Sequence, residues 1–108
     1  MAPKWYEYVE KNLNPGEEID KNYEGRLDGN FGYLFITDKR LLFVKQEGFF
    51  RKSYEIILDM PKDSLEKIER TGNHQMEIVD IDGVRHKFES SVGISLLEKS
   101  WEEAIAGD

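Results

Sequence analysis

The residues of this chain that could do chemistry are few and scattered. Two histidines are present, His74 beside a turn and His86 inside a strand-like run. Acid–base or nucleophilic catalysis needs such a ring within reach of a nucleophile held by a local motif, and no Ser or Cys motif accompanies either histidine. Both are therefore read as structural. Glu77, Asp80 and Asp82 crowd carboxylates into one short stretch. A calcium loop places its ligands at fixed intervals and closes on a glutamate, and that spacing is missing. These carboxylates are read as solvated hairpin residues. Gly29 and Gly32 do not make a phosphate cradle, because no helix follows them; a turn and a bulge are expected instead. The remaining stretch with chemical character is Phe49-Phe50-Arg51-Lys52, an aromatic pair followed by a basic pair. Its composition suits a loop tip that enters an interface behind a cationic collar. No catalytic residue, cofactor site or metal ligand set is expected, so the chain is read as a binding module and not an enzyme.

Composition narrows the partners. At 108 residues the chain is one structural domain, long enough to bury a core without staples. Cysteine is absent, which removes disulfides, thiolate metal sites and thiol nucleophiles, and fits a reducing compartment. No run approaches a membrane span and the first residues lack a signal-peptide apolar core, so a cytoplasmic protein is expected. Fifteen Lys and Arg against 22 Asp and Glu leave a net charge of -7. That charge repels nucleic-acid backbone and anionic lipid at long range; no nucleic-acid partner is expected.

Whatever binds must be carried by a central hairpin, Phe31 to Val44. Two β-rich runs meet at Asp38-Lys39, and a two-residue turn there pairs Ile36 with Leu41, Phe35 with Leu42, Leu34 with Phe43 and Tyr33 with Val44. Alternation then sorts Leu34, Ile36, Leu41 and Phe43 onto one face, and Tyr33, Phe35, Leu42 and Val44 onto the other. Both faces are apolar, so each needs a cover. Before the hairpin, Trp5, Tyr8, Val9 and Leu13 form one stripe of a short helix that begins near Pro3 and ends at Asn14-Pro15-Gly16. Residues 1–16 are read as this helix and its linker, and 17–108 as the main body. Glu18 to Asp28 reads as a strand with Gly25 as a bulge or close approach, and Asp28-Gly29-Asn30 as the turn that follows.

After the hairpin, Ser53 to Met60 alternates Tyr54, Ile56, Leu58 and Met60 onto one expected face until Pro61 stops it. Leu65 and Ile68 anchor a short strand. Asp82-Gly83 signals a further hairpin, expected to pair Ile81 with Val84 and Asp80 with Arg85. Ser91 is expected to cap a final amphipathic helix carrying Ile94, Leu97, Trp101, Ala104 and Ile105, with Trp101 as a plug and Glu98, Glu102 and Glu103 facing away.

The segment Gly32-Tyr33-Leu34-Phe35-Ile36-Thr37-Asp38-Lys39-Arg40-Leu41-Leu42-Phe43 closely resembles the signature hairpin of bacterial and archaeal pleckstrin-homology-like (PH-like) domains, including the GRAM-like branch. The resemblance extends from about Glu17 to Ile105 and implies a mainly β, α+β fold. That fold is a partly open seven-stranded antiparallel barrel or sandwich capped by a C-terminal helix; the N-terminal helix is an addition to it. Relatives that hold inositol phosphates place several cations on the first hairpin. Here that turn is Asp28-Gly29-Asn30 with only Lys21 and Arg26 on its approach, so the chain departs from the pattern.

The outer hairpin face supports a protein interface, since uncovered apolar patches mark interaction sites. Its expected residues are Trp5, Tyr8, Tyr33, Phe35, Leu42, Val44, Phe49 and Phe50, with a protein partner or a second copy as occupant. The first helix lying over the patch is the intramolecular alternative. A peripheral membrane contact through Phe49, Phe50, Arg51 and Lys52 is the alternative function, opposed by the overall charge.

Overall fold

The computed structural model describes residues 2–106, with residues 104–106 described by backbone only. Seven antiparallel strands form a single sheet: β1 (Ile19–Leu27), β2 (Asn30–Thr37), β3 (Arg40–Glu47), β4 (Ser53–Pro61), β5 (Leu65–Arg70), β6 (Gln75–Asp80) and β7 (Arg85–Ser90). A short helix α1 (Lys4–Lys11) precedes them, and α2 (Ile94–Ala106) follows. The spatial order is β4-β3-β2-β1-β7-β6-β5, so β1 joins two antiparallel meanders. β4 and β5 are the free edges, linked by a 3-10 turn at Lys62–Ser64 but not paired. This is the mainly β architecture of seven strands and two helices that the strand and helix patterns predict, and the sheet is open, as the resemblance implies.

The sheet curls so that the apolar inner faces of its two halves pack on each other. Leu34, Ile36, Leu41 and Phe43 meet Met76, Ile78 and Phe88 from the other half, and Ile94, Leu97 and Trp101 of α2 close the core. Phe43 and Phe88 touch edge to face across it, with ring centroids 6.2 Å apart. Room for that contact comes from Gly25 and Gly32, which face each other across β1 and β2. A Cβ on Gly25 would stand 2.7 Å from the Phe88 ring, and one on Gly32 would stand 2.9 Å from Phe43 and 2.0 Å from the Val44 carbonyl. Both glycines are thus close approaches, and the bulge expected at Gly32 is absent. The irregularity of β1 falls between Ile19 and Lys21.

The central hairpin pairs in the predicted register, from Ile36 with Leu41 to Tyr33 with Val44. β4 does not keep a single face. Phe43 pairs with Leu58 but Val44 pairs with Ile56, leaving Ile57 as an extra residue. One extra residue inverts every side chain beyond it. Leu58 and Met60 therefore enter the inner core, while Tyr54 and Ile56 join the outer cluster. A second shift, between Leu65 and Lys67, lets Leu65 and Ile68 pack on one face despite their odd spacing.

Two further expectations are corrected. The β6–β7 connection is longer than a two-residue turn, because Val79 faces Arg85 and residues 81–84 form the loop. Asp80 closes this loop: its carboxylate accepts the amide hydrogens of Asp82 and Val84, each at 2.9 Å, while its own amide donates to the Val84 carbonyl at 3.0 Å. Arg85 then lies by Glu69 and Glu77, not Asp80. Ser91 does not cap α2; its hydroxyl and amide both donate to the Glu24 carbonyl, tying the end of β7 to β1. Tyr23 is tied to α2 in the same region through the Ser100 hydroxyl. Glu102 and Glu103 are exposed and Glu98 half-buried, while the side chains of Ala104 and Ile105 lie outside the described residues.

Candidate functional site

The outer face of the hairpin is covered from within. Val9 of α1 is fully buried with Phe35, Leu42 and Val44, and Trp5, Tyr6, Tyr8, Leu13, Tyr33, Tyr54 and Ile56 pack around them. Trp5 stacks on Tyr33, with centroids 3.8 Å apart and planes 8° from parallel, and meets Phe35 edge-on at 5.8 Å. Tyr8 approaches Tyr54 at 5.9 Å. Burial pushes the Tyr33 phenol above its ordinary pKa, with the Glu24 charge adding to the effect. Six of the expected interface residues, Trp5, Tyr8, Tyr33, Phe35, Leu42 and Val44, therefore serve as lid and floor of an intramolecular cluster.

Holding that lid is the work of the residues at the hairpin turn. The Thr37 hydroxyl accepts the amide hydrogens of Lys39 and Arg40 at 3.1 and 3.0 Å, shaping the turn, and donates to the Glu17 carboxylate at 2.7 Å. Arg40 donates through Nε to Glu17 Oε2 at 2.8 Å, through one Nη to Asp59 Oδ2 at 2.9 Å, and through the other to Glu17 Oε1 and the Asn12 carbonyl. Asp38 and Glu18 exchange two further hydrogen bonds. The chain leaving α1 is thus pinned to the hairpin and to β4 at one point. Burial alone pushes the Glu17 carboxyl up; bonds from Arg40, the Asn14 amide and Thr37 outweigh it and hold the group below its usual value. The Glu17 bond raises the Arg40 guanidinium further. Sequence patterning does not find this cluster, because its partners are distant along the chain. The signal available was a charged Arg40 directly ahead of the apolar run Leu41 to Val44.

What remains uncovered is the β3–β4 loop. Gly48 turns the chain at φ 101°, and a Cβ there would run into the Arg51 carbonyl. The loop it starts projects Phe49 and Phe50, which are 87% and 93% exposed and pack edge to face at 4.9 Å. Arg51 and Lys52 follow, both exposed. The structure therefore brings these four predicted residues together at one tip and separates them from the other six.

The histidines are held in place. His74 Nδ1 lies 3.1 Å from the Val92 carbonyl, and His86 Nδ1 lies 2.8 Å from Asp28 Oδ2. Asp28 also accepts the Lys87 amide hydrogen, so the first turn is occupied by its own contacts and carries no cluster of cations. No group of His, Asp and Glu able to hold a metal ion is found among the described residues. No described helix is long and apolar enough to cross a membrane. The chain matches no family model, and no curated protein sequence matches it.

Proposed function

We propose that this chain is a non-enzymatic, PH-like binding module that engages a protein partner, including a second copy of itself, through the Phe49-Phe50 tip. One observation carries the reading: the two most exposed large apolar side chains among the described residues are adjacent, at the end of the β3–β4 hairpin, while α1 covers the apolar face beside it. Burying each ring contributes about 2 kcal/mol, and aromatic anchors of this kind dominate interface energies. A reducing, cytoplasmic setting fits the lack of cysteine.

Light scattering on the intact chain tests the self-association arm. The expected result is a mass above the monomer that falls to the monomer in Phe49→Asp and Phe50→Asp. A monomer at every concentration removes self-association and leaves only a different protein as partner.

Arg51 and Lys52 favour a second reading, insertion of the tip into anionic lipid, since both cations stand exposed directly behind the aromatics. Sedimentation with phosphatidylserine vesicles separates the two. Binding abolished by Phe49→Asp supports the membrane, and absence of binding at low salt eliminates it.

A further inference from the structure

The two free edges of the sheet are unlike each other. β5 presents Glu66, Lys67, Glu69 and Arg70 to solvent, the mixed charge that protects an edge from pairing. β4 carries Ile56, Ile57 and Leu58 in succession, and Glu55 and Asp59 are its only charges. Where β4 runs past the β6–β7 loop the sheet stays open, and a cleft of about 390 Å³ separates them. Ile57, Leu58 and Met60 line one wall and Ile81 the other. Ile81 is 63% exposed and Ile57 half-buried, so these two offer the apolar surface that solvent reaches, while Leu58 and Met60 are buried in the core behind them. Three carboxylates border the same cleft, Asp59, Asp80 and Asp82, and none of its lining residues is a lysine or arginine.

We propose that the β4 edge and this cleft accept an extended peptide of alternating basic and apolar residues, added as an eighth strand. Main-chain groups on the outer side of β4 have no ladder partner and would supply its hydrogen bonds. Alternation sends successive side chains to opposite sides, so apolar residues meet Ile57 and Ile81 while cations meet the carboxylates. Arg40 offsets part of the Asp59 charge, and the Asp80 carboxylate holds the Asp82 and Val84 amides. His86, hydrogen-bonded to Asp28, also borders the cleft, so the exposed Asp82 is the carboxylate best placed to meet a cation. The bulge at Ile57 confines continuous pairing to Leu58–Pro61, above the cleft. A second copy is the poorer occupant, because two β4 edges paired over Leu58–Pro61 would bring their Asp59 carboxylates together. Phe49 and Phe50 lie outside the cleft lining, so this site stands apart from the tip.

The test is a titration of the isotope-labelled chain, followed by its amide resonances, with a short peptide alternating lysine and valine. Its glutamate–valine counterpart serves as control. Shifts at Leu58, Asp59, Met60 and Ile81 with the lysine peptide alone, and slower amide exchange along β4, are expected. Asp82→Lys, at an exposed loop position, is expected to weaken binding about tenfold, while Phe49→Asp leaves it unchanged. Equal response to both peptides, shifts confined to other strands, or indifference to Asp82→Lys would overturn the proposal. So would concentration-dependent shifts of the same amides without peptide, which would assign the edge to a second copy.

Discussion

Arg40 is the residue on which most local structure depends. It bridges Glu17, Asp59 and the Asn12 carbonyl, and its side chain is 10% exposed while that of Glu17 is fully buried. Removing one partner of a buried pair strands the other charge in a poor dielectric. Arg40→Met is therefore expected to cost about 3–5 kcal/mol in urea unfolding. The double variant Glu17→Leu/Arg40→Met should recover a large part of that loss, because no buried charge is left unpaired. The same pair sets a pH dependence. Glu17 has a folded pKa below its ordinary 4.5, so the folded state binds fewer protons than the unfolded state in that range. Its stabilising contribution is complete above about 4.5 and is lost as pH falls through the lowered folded value. Unfolding midpoints measured at stepped acid pH should fall more steeply for the native chain than for Glu17→Gln.

Among the elements, α1 and the paired glycines carry the clearest consequences. α1 is only 8 residues long, too short to be stable alone, and it persists because its aromatic side packs onto the hairpin. A chain lacking residues 1–13 would expose Phe35, Leu42 and Val44, which are fully buried in the intact chain. It is expected to aggregate, seen as a rise in light-scattering mass that Phe49→Asp does not reverse. The Gly25–Gly32 pair sits where the sheet folds onto itself. Gly32→Ala should cost about 2–3 kcal/mol, since its methyl group would meet a neighbouring carbonyl and the Phe43 ring, and overpacked sites relax poorly. Thermal unfolding of Gly32→Ala against the native chain measures this directly.

At the scale of the whole molecule, β1 pairs on one side with β2 and on the other with β7, and the core draws side chains from both meanders. The two halves should therefore unfold together. Phe88→Ala, which removes the ring bridging them, is expected to cost about 3–5 kcal/mol and to keep near- and far-ultraviolet dichroism transitions coincident. Separate transitions would show that the meanders are independently stable.

The sequence by itself determined the strand count, the central hairpin with its register, and the need to cover two apolar faces. These are local properties: period-two alternation and turn chemistry act within a few residues, and Asp38-Lys39 sets which side chains oppose each other. It also marked Phe49-Phe50-Arg51-Lys52 as a tip, because two aromatics followed by two cations in a loop have no core to join. Only the tertiary structure decided the rest. Whether α1 covered its own hairpin depended on the path from Asn12 to Ile19, which a buried Glu17–Arg40 pair fixes across distant positions. The face each end of β4 presents depended on a bulge at Ile57, and one residue's slip is invisible in an apolar run where either face can be buried. The register after Asp80 depended on its carboxylate taking the Asp82 and Val84 amides while its own amide closes onto the Val84 carbonyl, a set of contacts that the Asp82-Gly83 pair alone does not reveal. The cleft beside β4 exists only because the curled sheet does not close, a balance of twist, strand number and core volume that no single stretch of chain encodes.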